Sequence, residues 1–474
     1  MIRSLFKLES RSIEFIPEGE RHGTSRSLLT VWFGANMQVA TVITGALLVT
    51  IGLPFFWAFI AIVIGNVIGT AIMALHSAQG PILGMPQMIQ SRAQFGYIGA
   101  IVPVLLAALI SIGFYAGTAV PGGQAVSQLL GLPSDISLVA LSVLSLLLAL
   151  VGYRLIHRLE RWTSVINGVA FVYLTIKLLS TYSLSAALED RQLPVGIFLL
   201  GIAIAATWNI SFSIYVADYS RYLPTNTSRR TTFWYTYVGG GFSAIWLFAF
   251  GALAAAVAPQ SSGDMVGLLG TLAGEGLAKA IFVVVLSGVL SVNILNLYSG
   301  ALALAMIVST VTRRAATAAS RTGALILATV IGTSLAVWGQ GNFLANFESF
   351  ILFLSYLIIP WSAINLLDFY LVRKERYNPA AIYDPKGVYG LVNRRAVGAY
   401  LLAVAAEVPF MSTSVYTGPM VDQMGGADIS WAVGLVVGAV LYVIWMRGHD
   451  VTREIDWVSP QTTKDDRDEE MVLS

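Results

Sequence analysis

The 474-residue sequence contains no cysteine, only four histidines, and so little charge that Asp, Glu, Lys and Arg together make 11% of the chain. Without cysteine there can be no disulfide framework, thiolate zinc site or cysteine nucleophile. His22, His76, His157 and His449 are scattered, and the absence of His-Glu-x-x-His removes the usual intramembrane metalloprotease motif. Soluble domains carry roughly a quarter charged residues. At 56% hydrophobic, this chain is expected to be a polytopic membrane protein, and its net charge of +2 says less than the distribution of that charge. Residues 1–27 are polar and basic with no apolar centre, so no cleaved signal peptide is expected and the first span should direct insertion.

Apolar runs able to cross roughly 30 Å of hydrocarbon, at about 20 residues each, number about twelve. They cover 28–52, 55–76, 98–130, 136–152, 162–182, 195–215, 233–258, 278–308, 323–338, 347–370, 397–411 and 429–445. With twelve spans both termini share a side, and of 28 basic residues all but Lys177, Arg191 and Lys279 then fall on that side. A miscounted span would scramble this alternation. The positive-inside rule makes that side cytoplasmic, in a multi-pass protein of the cell membrane. The expected organisation is a cytoplasmic segment 1–27, a ten-helix transport core 28–370, a cytoplasmic linker 371–396, two further spans within 397–446, and a tail 447–474. The acidic run 465–470 marks that tail as mostly disordered, whereas 13–26 is a lead-in placed to pack under the bundle.

Two spans are unusually polar in their middles. Span one carries Gly34-Ala35-Asn36-Met37-Gln38, and span six, five helices later, carries Ala206-Thr207-Trp208-Asn209-Ile210-Ser211-Phe212-Ser213. Small and amide residues also serve ordinary helix packing. At corresponding positions of two halves, however, they predict broken helices one and six around a midplane site, in a 5+5 inverted repeat with two C-terminal helices. The expected class is an all-α integral membrane protein. Span eight adds Asn293 and Asn296, three apart on one helix face. An unpaired amide in hydrocarbon costs several kcal/mol, so both need a partner or a ligand. Span three adds Phe114 and Thr118, four apart on one face.

These residues carry a resemblance. Phe33-Gly34-Ala35-Asn36-Met37, Ser91-Arg92-Ala93-Gln94-Phe95-Gly96, Ala217-Asp218-Tyr219-Ser220-Arg221-Tyr222-Leu223-Pro224, Asn293-Ile294-Leu295-Asn296-Leu297-Tyr298-Ser299, Pro360-Trp361 and Asp368-Phe369-Tyr370 resemble the motifs of the nucleobase cation symporters, closest to the purine-cytosine permease branch. The likeness implies a leucine-transporter-like fold and uptake of a nucleobase or similar planar heterocycle by alternating access, coupled to a cation gradient. Phe114 stands where family members often have Trp, and Thr118 where they have Asn or Gln, which shortens the reach of span three and leaves the base unnamed. Phe212 matches an aromatic of the branch, with Trp208 its neighbouring candidate, and Asn293 and Asn296 match its two span-eight asparagines. A flat neutral ring needs aromatic faces and edge-reading amides or hydroxyls. Phe114, Phe212 and Trp208 offer the first; Asn36, Gln38, Thr118, Ser213, Asn293 and Asn296 offer the second.

In sodium-coupled members of the resembled family the ion lies between carbonyls of broken span one, here near Ala35 and Gln38, and oxygens of span eight, here at Gly288 and Ser291. Val292 replaces a second hydroxyl, and because a hard cation needs several oxygens, a proton is preferred to sodium. The span-associated acids are Glu348 and Glu407, beside the interfacial Asp218 and Asp368, and Glu348 is the first choice of proton carrier because span ten belongs to the repeat core. No cofactor and no nucleic acid partner are called for; the oligomeric state stays open. An amino-acid or polyamine transporter of the same fold would favour charged recognition groups. A membrane-embedded enzyme would need His, Asp, Glu or Arg gathered at one depth, and a channel a filter-like loop.

Overall fold

The computed structural model describes residues 13–151, 153–312, 317–413 and 416–457. The acidic run of the tail, residues 1–12 of the first cytoplasmic segment, and Arg313 and Arg314 lie outside the described residues. Long apolar helices dominate. One bent pair, Arg26–Asn36 and Val39–Thr50, turns by 61° and forms span one. Spans two to eight are built on Phe55–Ser77, Ile101–Leu130, Ser134–Val151, Tyr153–Thr181, Val195–Ser211, Arg229–Val257 and Ala278–Thr312, with Phe55–Ser77 as span two. The 54-residue stretch Ala319–Val372 is two spans, Ala318–Gly339 and Phe343–Leu367, folded back at the turn Gln340–Asn342. Arg394–Glu407 and Ser430–Trp445 complete the twelve.

The breaks fall where the polar stretches predict them. Met37 and Gln38 leave the helical region, Gln38 being extended at φ −145° and ψ 159°. In span six the helix tightens over Phe212–Ile214, breaks at Tyr215 and resumes as Val216–Ser220. Gly34, by contrast, is helical, and its missing Cβ admits the Ser164 side chain of span five.

Neighbour relations obey an exchange of each span with the one five later. Span two packs on six as seven packs on one; three on four as eight on nine; one on five as six on ten; five on eight as ten on three. Spans three and eight lie along each other. The connecting helices match too, Gln87–Phe95 between spans two and three and Met265–Ala273 between seven and eight. Glycines allow the closest crossings: a Cβ on Gly69 would enter the backbone at Ala206 of span six, and one on Gly251 the backbone at Val42 of span one. Leu147, Val169 and Phe242 are exposed on the outer surface, as lipid contact requires.

At the arginine-rich end the lead-in packs under the bundle, with Ile16 buried and its N–H donating to Gly84 O at 2.8 Å. Nearby, fully buried Asp368 accepts from Gln94 (2.9 Å), Tyr377 (2.7 Å), Tyr442 (2.6 Å) and the Arg373 guanidinium. Arg373 also forks onto both carboxyl oxygens of Glu454 at 2.7 and 2.8 Å, and His449 Nε2 lies 2.6 Å from the same carboxylate. Burial alone would raise the Glu454 carboxyl, but the hydrogen bonds from His449 and Arg373 and the Arg373 charge outweigh it and hold it below its ordinary value. This network ties the end of span ten to span twelve and to the short helix Thr452–Ile455.

Candidate substrate and ion site at the two helix breaks

A helix break frees backbone groups that the regular ladder would satisfy, and at midplane depth they need side-chain partners or a ligand. Asn36, the last helical residue before the first break, uses its whole amide within the protein. Its Nδ2 donates to Gly240 O at 3.0 Å and Ser243 Oγ at 2.9 Å, and its Oδ1 accepts from Trp208 Nε1 at 2.8 Å. Asn36 and Trp208, both expected at the substrate, link spans one, six and seven through these bonds.

A different set of polar atoms is left without partners. Gln38 Oε1, Ser213 Oγ, Asn293 Nδ2 and Asn296 Nδ2 are buried and make no hydrogen bond, as are Thr41 Oγ1 and Thr207 Oγ1 beside the breaks. Each such group costs about 1–3 kcal/mol if nothing binds it, so several of them on the spans that meet at the breaks mark a place for a polar ligand. Thr118 Oγ1 donates to Asn293 Oδ1, joining spans three and eight and turning the Asn293 N–H₂ away from that contact.

Aromatic rings line the same region. Phe114 stands edge-on to Trp208 (centroids 5.5 Å, 88°) and to Phe350 of span ten (5.3 Å, 85°). Phe212 lies 6.1 Å from Trp208 and 5.7 Å from Trp32, which also meets Tyr215 and Tyr219. Trp32 precedes the first break and Tyr219 follows the second, which puts both on the arginine-rich side, so this aromatic group covers that side of the site.

The oxygens expected to hold a cation are engaged by neutral groups. Ala35 O accepts from Gln38 Nε2 at 3.2 Å, and Met37 O from Asn167 Nδ2 at 2.9 Å. Ser291 Oγ is 3.2 Å from Thr163 Oγ1, and Ser287 Oγ lies 3.3 Å from Asn167 Oδ1. Gly288 has no Cβ to obstruct this amide; one placed there would lie 2.6 Å from Asn167 Nδ2. Val292 is aliphatic, and the carbonyls of Ala35 and Met37 face amide donors.

Of the acids, Asp218 accepts from Gln87 N at 2.8 Å and Asp368 is bound as described. Glu348 is half-buried one residue after Phe347 and two before Phe350, on a different helix face from these rings. Glu407 is fully buried against Gly434 with neither carboxyl oxygen hydrogen-bonded. Sequence reasoning missed Asn167, and it missed Asn66, whose Oδ1 accepts from Asn209 Nδ2 at 2.6 Å. A lone amide within each otherwise apolar span was the available signal.

Comparison with known proteins agrees with this geometry. The profile of a family described as permeases for cytosine/purines, uracil, thiamine and allantoin matches residues 15–434. A putative purine-cytosine permease of Bacillus subtilis, YxlA, is 40% identical over 93% of this chain and 96% of its own. The purine-cytosine permease fcyB of Emericella nidulans is 25% identical over 92% of this chain and 88% of its own. Among solved structures, Mhp1, a nucleobase-cation-symport-1 family transporter in a closed conformation with bromovinylhydantoin bound, superposes with a TM-score of 0.73 at 20% identity, over 95% of this chain and 100% of that one. That likeness speaks to the fold.

Proposed function

Because the chain belongs to the family of permeases for cytosine/purines, uracil, thiamine and allantoin, we propose that it imports a neutral nucleobase or closely related planar heterocycle across the cell membrane by alternating access, driven by a cation gradient, with a proton as the coupling ion. Both termini are cytoplasmic in this reading, which rests on the arginine distribution. The observation that carries the substrate class is the set of unpartnered atoms, Gln38 Oε1, Ser213 Oγ, Asn293 Nδ2 and Asn296 Nδ2, beside Phe114 and Phe212.

A nucleobase presents carbonyl and ring-nitrogen acceptors and N–H donors around a flat rim. The two asparagine N–H₂ groups meet its acceptors, Gln38 Oε1 meets a donor, and Ser213 serves either. Phe114 and Phe212 supply apolar faces. Asn36 and Trp208 brace the breaks from behind, and Thr118 fixes the direction of Asn293. None of these groups is charged, which favours a neutral ring over an amino acid or polyamine. Alternating access follows from the repeat, since rocking one set of spans against another exposes a fixed midplane site to each side in turn. Proton preference is supported by Val292 and by the neutral donors on the break carbonyls; Glu348 is the proposed proton carrier.

The test is a thermal-shift screen of purified protein against nucleobases, hydantoins, pyridoxine-like rings, nucleosides and amino acids. Stabilisation by a planar heterocycle is expected. Stabilisation by an amino acid, with none by any planar ring, would remove the substrate class.

A further inference from the structure

We infer that the Asn167 side chain takes the place of a coupling cation, acting as an uncharged, permanent tether between spans one, five and eight that makes this transporter indifferent to sodium. The inference deepens the proposed proton coupling and rests on that reading only for its consequence in transport.

The helix Arg26–Asn36 ends in mid-membrane, and the C-terminal end of a helix carries partial negative charge on its unsatisfied carbonyls. Something positive must face them. Met37 O receives Asn167 Nδ2 at 2.9 Å. A carbonyl oxygen can only accept, so the nitrogen of the amide has to point at span one. Its Oδ1 then faces span eight, where the Ser287 hydroxyl lies at 3.3 Å while also donating to Val284 O at 2.8 Å. The bond to Met37 O therefore fixes the orientation of the amide, and the shared Ser287 hydroxyl meets its other end. Asn167 is almost fully buried at 2% exposure, so this arrangement is shielded from competing water.

Two independent features fit the chain to this tether. Gly288 leaves the space: a Cβ there would come within 2.6 Å of Asn167 Nδ2, so any larger residue would displace the amide. One helical turn earlier on span five, Thr163 meets Ser291 of span eight at 3.2 Å, a second neutral rung parallel to the first. The hydroxyl of Ser291 is thereby paired across to span five.

A bound ion ties such spans together only when it is present, which is how an ion gradient can do work on a conformational equilibrium. The N–H of Asn167 cannot dissociate. The contact stays made through the cycle or breaks only by separation of the helices, and in neither case does sodium concentration enter. Exchange of one atom reverses this. In Asn167→Asp an oxygen replaces the nitrogen facing Met37 O, and two oxygens at that separation repel unless a cation or proton lies between them.

The experiment measures thermal stability of the purified protein at pH 8 while sodium replaces choline at constant ionic strength, without substrate, so that an error in the substrate class does not affect it. The wild type is expected to show no sodium-specific shift. Asn167→Asp is expected to show one that grows with the logarithm of sodium concentration above its Kd, and Asn167→Ala a lower melting temperature with no sodium response. Should the carboxylate prevent folding, Asn167→Ser removes the amide N–H₂, leaves a hydroxyl that can turn its oxygen toward an ion, and carries the same expectation as Asp. A sodium-specific stabilisation of the wild type that grows with the logarithm of concentration would overturn the inference, and so would oxygen-bearing variants as indifferent to sodium as the wild type.

Discussion

The indole N–H of Trp208 donates to Oδ1 of Asn36 at 2.8 Å, joining the two broken helices directly across the centre of the molecule. The Asn36 amide continues the link to Gly240 and Ser243 of span seven. Removing the donor by Trp208→Phe leaves a buried acceptor short of a partner, at about 1–3 kcal/mol. A lower melting temperature is expected, with any ring affinity retained falling less than for the span-eight asparagines. A Trp208→Phe protein of unchanged stability but abolished binding would put the indole at the substrate instead.

Asn293 and Asn296 should behave oppositely. Their N–H₂ groups have no partner to lose, so Asn296→Ala should leave stability little changed and Asn293→Ala should lower it only through the lost Thr118 contact, while each weakens substrate binding about tenfold or more, one hydrogen bond being worth roughly 1.4 kcal/mol in this range. Thr118→Val releases Asn293 Oδ1 and should relax discrimination among bases more than it lowers affinity. Competition binding across a panel of bases measures both effects.

Glu348→Gln should abolish proton-driven accumulation while sparing exchange of substrate down its gradient. Normal uphill uptake in that variant would eliminate Glu348. If Glu407→Gln alone stops accumulation, the carrier lies in span eleven.

The C-terminal helix Thr452–Ile455 depends on an acid whose pKa is depressed in the folded chain, through Arg373 and His449. A depressed carboxylate stabilises the folded form above its unfolded pKa and ceases to do so as pH falls through the folded value. Docking of 452–455 should therefore be full near neutrality and loosen below about pH 4, near the ordinary carboxylate value. Hydrogen exchange across 450–457 should rise in acid, and Glu454→Gln should show that rise already at pH 7. Equal protection in wild type and variant would contradict the role of the carboxylate.

Much of this was legible in the sequence because a bilayer leaves few choices. Apolar run length and arginine alternation mark the twelve spans, and the polar centres of spans one and six mark the breaks to within a few residues. The site was less legible. Asn36, Gln38 and Trp208 share a polar, aromatic pattern, yet only the packing of spans one, six and seven decides that Asn36 and Trp208 bond each other while Gln38 Oε1 stays unpaired. Asn167 escaped notice because its partners are a backbone carbonyl on span one and a serine hydroxyl beside Gly288 on span eight, and neither leaves a mark near residue 167. The partners of Asp368 are Arg373 and Tyr377 from its own stretch, Gln94 from the helix before span three and Tyr442 from span twelve, a convergence that no local pattern announces.

The most direct test is uptake of radiolabelled cytosine and hypoxanthine into proteoliposomes under an imposed inward proton gradient or an imposed inward sodium gradient. Concentrative uptake of at least one base with the proton gradient, none with sodium alone, and collapse of accumulation on adding a protonophore is the predicted result. Accumulation that follows sodium and ignores the protonophore, or no uptake of any planar heterocycle under either gradient, would contradict the account.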